Sequence, residues 1–218
     1  MPDSSLHGNF IDAKELLKPT TARKSNLVNI DLSGKAAKDF IGRIADGEWD
    51  FRNVDRSGID LSGADLRKIV LIRANLKGAT LKGVNLSRTS LNFADLTGAD
   101  LTGATMGGTK FYSAEMSGAN FSGAYLRGAY LSGANLRGAN FSGANLRRAS
   151  LFRASVQNAI FIGANLTHAD LENGGFDDCD FTNANLRCPA GLNGGNAIFC
   201  NSIMPNGSID GDRIWFRD

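Results

Sequence analysis

The chain has 218 residues, with 24 Lys and Arg against 22 Asp and Glu, and its net charge of +2 favours no partner class by itself. Hydrophobic residues at 42% and charged residues at 21% exclude a disordered acidic or basic tail. The 26 glycines with only 4 prolines exclude a collagen-like or proline-rich linker, and no apolar run is long enough for a membrane-spanning helix.

Met1 to Asn9 lacks the basic and apolar regions of a signal peptide. The expected location is cytoplasmic, or the periplasm or thylakoid lumen if a leader precedes this chain. A short helix is predicted at Ile11–Lys18, stopped by Pro19. An amphipathic helix is predicted over Ser33–Gly47, with Ser33 as N-cap and Ala37, Phe40, Ile41 and Ile44 on one face.

From Phe51 to Leu186, every fifth residue follows one register without a slip. All 28 of these positions are Phe, Leu, Met or Val except Arg56, and 19 of the 28 positions two residues earlier are Ala. The residue before the large one is most often Asn or Asp, the one after it is polar in most units, and the next is often Gly. The unit is clean in Ala134-Asn135-Leu136-Arg137-Gly138.

A period of five suits neither a helix at 3.6 nor a long strand at two. It suits three extended residues followed by a turn, with Gly where a side chain would clash. Successive segments then turn corners about one axis, and stacked coils pair their backbones at ~4.8 Å. The Asp and Asn before the large residue read as groups bonding to the backbone rather than as paired catalytic acids. Arg56, at an inward position of the first coil, either reaches out of the mouth of the rod or marks an incomplete coil.

Past Arg187 the pattern breaks at Pro189 and a run rich in Gly and Asn. Ile198–Ile203 and Ser208-Ile209 flank Pro205-Asn206-Gly207, a strong turn signal, so a loop or hairpin cap is predicted. Ile214, Trp215 and Phe216 form an apolar triplet that would serve as a cap contact or a dimer contact. The expected divisions are 1–48, an N-terminal segment with a capping helix; 49–187, the repeats; and 188–218, the C-terminal cap.

The residues from Trp49 to Arg187 resemble the pentapeptide repeat family, whose unit is Ala-(Asp/Asn)-Leu-x-x. The stretch Gly42 to Phe51 is similar to the lead-in of cyanobacterial-type members, and Met204-Pro205-Asn206-Gly207 to their Met-Pro-Asp-Gly tails. The resemblance implies an all-β fold: a right-handed quadrilateral parallel β-helix with four pentapeptides per coil, about seven coils, and a rod of about 34 Å.

Catalytic chemistry is not apparent. His7 and His168 are far apart and sit in no nucleophile or base motif, and no phosphate, dinucleotide, zinc or calcium motif occurs. No enzyme activity, metal or cofactor is expected. Cys179, Cys188 and Cys200 are odd in number and lack Cys-x-x-Cys spacing, so they read as reduced thiols or, alternatively, as a Cys188–Cys200 staple.

With four units per coil, residues 20 apart stack in columns. The four faces are named here by their first inward residues, 51, 56, 61 and 66. Inside the 61 face, Phe121, Phe141, Phe161 and Phe181 form a predicted core ladder. Outside, the 66 face carries Arg67, Lys68, Arg88, Arg127, Arg147, Arg148 and Arg187 against Asp65, a net +6. The 51 face is +1, and the 56 and 61 faces are each −2. The 51 face also holds Val70, Ile72, Phe93, Tyr112, Tyr130 and Phe152 on its outside.

Basic groups beside exposed aromatics suit an anionic or protein partner. The reading is a scaffold that presents a rigid rod to an unidentified protein, as a monomer or end-to-end dimer. Direct binding of nucleic acid or a membrane surface is an alternative. A topoisomerase-interacting DNA mimic, as in the quinolone-resistance pentapeptide proteins, is another, but it calls for a strongly acidic surface. Here residues 50–188 hold 15 basic and 12 acidic groups.

Overall fold

The computed structural model describes residues 35–192, 197–199, 202–204 and 208. Helix α1, Lys35–Ala45, buries Ala37, Phe40, Ile41 and Ile44 along the predicted stripe. It ends in a Schellman arrangement, with the Glu48 amide donating to the Arg43 carbonyl (3.0 Å) and the Gly47 amide to Ile44 (3.1 Å). Gly47 has φ of 100°, which explains why the helix stops there. The helix predicted at Ile11–Lys18, the Ser33 cap and the triplet Ile214, Trp215, Phe216 lie outside the described residues.

The repeats form a parallel β-helix. Parallel bridges join each residue before a large one to its counterpart 20 residues on, from Asp50↔Val70 through Asn165↔Asn185. Four pentapeptides therefore complete one coil.

The unit around Leu101 shows how the backbone is satisfied. The Asp100 amide donates to Ala79 (2.9 Å), Leu101 to Asn120 (2.7 Å) and Gly103 to Ser122 (2.9 Å), all between coils. The Ala104 amide closes the turn on the Leu101 carbonyl at 3.0 Å. One amide of the five, that of Thr102, has no backbone acceptor and donates to Asp100 Oδ1 at 3.0 Å. Asn and Asp recur before the large residue because their short side chains catch this amide. The Ser57 amide and hydroxyl likewise hold the Asp55 carboxyl below its usual range.

The core is a column of small and large side chains with Ala and Leu fully buried along its length. Phe121, Phe141, Phe161 and Phe181 stack at 4.8, 5.0 and 4.9 Å with interplanar angles of 7° or less. Phe199 adds a fifth ring at 5.1 Å. Where the small position is Thr89, Thr109 or Cys179, the buried Oγ1 or Sγ donates to a carbonyl of the coil below, at 2.5 to 3.0 Å.

At the first coil Phe40 of α1 meets Phe51 with ring centroids 4.6 Å apart. Arg56 turns toward the helix, its guanidinium 5.6 Å from the Phe40 ring and 3.8 Å from Asp39. Of the two sequence alternatives, the arginine that reaches out of the mouth is the one observed.

The expected loop or hairpin cap needs correction at Ala190, Ile198 and Ile203. Ala190, Ile198 and Ile203 pair in parallel with Asp170, Asp180 and Asn185, so this stretch adds further rungs. The last two bridges span 18 residues instead of 20, so the sequence register is lost while the stacking continues. The Met204 amide does donate to the Ser208 carbonyl (2.8 Å) across the predicted turn.

Phe141→Ala removes a ring stacked on both sides and should cost about 3–5 kcal/mol. Urea unfolding of the two proteins measures this, and a loss below 1 kcal/mol would contradict a load shared through the ladder.

Candidate functional site

Each turn places the second residue after the large one at positive φ, near 50–70°. An L side chain costs roughly 1–2 kcal/mol there, and glycine is the residue that fits. The four faces treat this position differently. On the 56 and 61 faces 11 of 14 turns have Gly, and the other three have Asn158, Asp178 and Asn183. On the 66 and 51 faces 11 of 14 have something else. Among these are Lys68, Arg73, Arg88, Phe93, Arg148 and Arg153.

The 51 face departs from the repeat a second time. The Asp or Asn position before the large residue holds Val70, Ser90, Lys110, Tyr130 and Ser150 in five of seven units. Both local rules are thus broken together, on the face that carries the outward aromatics.

The structure arranges the residues singled out by sequence as follows. Lys68, Arg88, Arg127, Arg147, Arg148 and Arg187 are exposed on the 66 face. Arg127 and Arg147 occupy successive coils, with Arg148 beside Arg147. Arg88, Arg127, Arg147 and Arg148 make no ion pair among the described residues. Arg67 differs: it is half-buried and forms a double contact to Asp65, Nε–Oδ1 2.8 Å and Nη2–Oδ2 2.6 Å. Its charge is largely neutralised locally.

On the 51 face Phe93 and Tyr130 are exposed, while Ile72, Tyr112 and Phe152 are half-buried. Tyr112 and Tyr130 pack together at 5.6 Å. Arg73 lies over Phe93 at 5.8 Å and Arg153 over Phe152 at 5.0 Å. The sequence reading missed Tyr125, the most exposed of the large hydrophobic residues at 59%, which projects from the 66 face. It also missed Ile160, exposed on the 61 face beside Ile162. Burial at these outward positions depends on neighbours one coil away, which only the 20-residue stacking reveals.

Cys179 is fully buried and its thiol is pushed up to about 12 by burial. Cys188 is an exposed free thiol, and Cys200 lies outside the described residues, so the Cys188–Cys200 staple is not part of the described structure. His168 is exposed. Among the described residues no cluster of His, Cys, Asp and Glu could hold a metal ion, and no helix is long and apolar enough to cross a membrane.

The family model for pentapeptide repeats matches residues 70–108, 114–151 and 149–187, as eight copies. The chain belongs to the pentapeptide repeat family. Its fold is accordingly the right-handed β-helix of that family.

The chain is similar to three solved structures. A trypsin-treated variant of QnrB1, a plasmid-mediated fluoroquinolone resistance protein, is 28% identical over 62% of this chain and 73% of that one, with a TM-score of 0.48. HetL is a pentapeptide repeat protein involved in heterocyst differentiation regulation, from the cyanobacterium Nostoc sp. strain PCC 7120. It is 28% identical over 79% of this chain and 98% of that one, with a TM-score of 0.32. A pentapeptide repeat protein of the Arabidopsis thaliana thylakoid lumen is 32% identical over 56% and 71%, with a TM-score of 0.28. No curated protein matches the sequence.

Two predictions follow from the turns and the thiols. Arg88→Gly and Arg148→Gly should each raise stability by up to about 1 kcal/mol, whereas Gly98→Arg should lower it by a similar amount. Space is open around Gly98, so the cost is conformational and not steric. Chemical denaturation of the three variants reads both signs. Separately, maleimide at pH 8 should label Cys188 in the native protein and leave Cys179 unmodified until denaturant is added, as peptide mapping by mass spectrometry would record.

Proposed function

We propose that this chain is a non-enzymatic interaction protein whose rigid rod presents the edge formed by its 66 and 51 faces to a protein partner. In this reading residues 49–187 supply about seven coils. The segment up to residue 48, through α1, and the chain from 188 onward cover the two ends. Rigidity matters because a partner then meets side chains already held in register.

One observation carries the proposal. Arg, Lys and Phe occupy glycine-favouring turn positions on this edge and not on the other. Their backbone strain contributes nothing to folding, and they sit beside unpaired arginines and exposed aromatics, the residue types that dominate binding energy at protein interfaces. The opposite side keeps glycine at 11 of its 14 turns and carries a net charge of −4.

Capture from a nuclease-treated native lysate tests the proposal. Wild type is compared with an Arg127→Glu, Arg147→Glu, Arg148→Glu triple variant, whose three exposed positions should leave the circular dichroism spectrum unchanged. A protein retained by the wild type and lost by the variant is the expected outcome. Identical capture by both, or none by either, counts against the edge as a docking face.

A further inference from the structure

On the 51 face, Arg73, Phe93, Tyr112, Tyr130 and the pair Phe152–Arg153 occupy five consecutive coils, one contribution per coil. They form a stripe with an arginine at each end and four rings between, as three contacting pairs: Arg73–Phe93, Tyr112–Tyr130 and Phe152–Arg153. We infer that this stripe docks an extended acidic segment of the protein partner. That segment would bear two carboxylates about six residues apart and apolar side chains between them. This inference rests on the reading of the 66/51 edge given above and names the chemistry of what that edge receives.

The end groups carry the argument. The guanidinium of Arg73 lies 5.8 Å from the Phe93 ring and that of Arg153 lies 5.0 Å from the Phe152 ring. A guanidinium held beside a ring by its charge keeps N–H groups for a planar acceptor, which a carboxylate matches with two parallel hydrogen bonds. The ring contact also holds the long side chain before binding, which lowers the entropy lost on docking. Neither arginine forms an ion pair among the described residues.

Spacing sets the length of the segment. Arg73 and Arg153 are 80 residues apart, which is four coils of 20 and about 19 Å along the rod at the interstrand distance of a sheet. An extended chain advancing ~3.3 Å per residue covers that distance in six residues. An even number of residues also puts both carboxylates on the same side of the segment, with the second and fourth residues between them facing the Phe93, Tyr112 and Tyr130 rings. One coil beyond Arg153, Asp170 and Glu172 are on the same face and would repel a further carboxylate, which limits the segment at that end.

The same rings argue against single-stranded nucleic acid. Base stacking requires an open ring face. Of the four rings only Phe93 and Tyr130 are exposed, and they stand two coils apart, with half-buried Tyr112 packed on Tyr130. A duplex presents one charge per ~1.7 Å, far denser than the two arginines of this stripe.

The test uses a fluorescein-labelled ten-residue peptide with glutamate at its second and eighth positions, leucine at its fourth and sixth, and serine elsewhere. Anisotropy is read against the full chain. Saturable binding is expected, weakened at least tenfold by Arg73→Gln with Arg153→Gln. It should weaken by a similar factor when the peptide glutamates become glutamine, with little further loss when both changes are combined. Arg73→Gly with Arg153→Gly removes the same forks while relieving positive φ, so a folding defect in the glutamine pair does not obscure the result. Equal binding by wild type and both variants would overturn the inference, as would no binding at millimolar peptide or tighter binding of a single-stranded thymidine decamer. If the peptide fails while lysate capture still depends on Arg127, Arg147 and Arg148, only the acidic-segment inference falls. If both fail, the reading of the edge falls with it.

Discussion

The structure depends on satisfying the backbone amides of a chain that turns a corner every five residues. Three amides of each unit bond between coils and one closes the turn, and the remaining one has only a side chain to receive it. Where Asp or Asn precedes the large residue it meets this need, as in Asp60 with Ser62 and Asn140 with Ser142. Stability is then distributed along the rod, each coil depending on its neighbours above and below, as in other solenoids.

The same geometry fixes which positions are free to carry function. The inward residues are constrained by volume, the residue before the large one by the amide it must capture, and the second residue after it by positive φ. On the 56 and 61 faces the positive-φ constraint is obeyed by glycine at 11 of 14 turns and by Asn or Asp at the rest. On the 51 face two of the three constraints are relaxed together, and the space is taken by Arg73, Phe93, Tyr130 and Arg153. The folding energy forgone there is of the order of a kcal/mol per site, which a stack of paired coils and a Phe ladder can absorb.

The ends obey different rules because each lacks one neighbouring coil. At the first coil Arg56 replaces an inward apolar residue, and its guanidinium lies against Phe40 and near Asp39 of α1. A leucine there would fill the rod but lose the guanidinium's contacts with Phe40 and Asp39, leaving the Phe40–Phe51 contact to hold the helix. At the other end, Ile198 and Ile203 keep the parallel ladder while the spacing shortens to 18, and Phe199 still stacks on Phe181.

The sequence by itself determined the period, the inward column, the Phe ladder, the amphipathic face of α1 and the charge difference between faces. Each is a local or strictly periodic property, so a register of five and a stacking interval of 20 suffice to place it. The sequence did not reveal that the ladder continues through Ile198 and Ile203, because a two-residue deletion destroys the periodic signal while backbone pairing tolerates it. Nor did it reveal that Arg67 is held by Asp65, that Tyr125 stands exposed, or that Arg73 and Arg153 lie over aromatic rings. Those facts depend on side-chain directions at the turns and on neighbours one coil away. Only the stacked coils bring those groups within reach of one another.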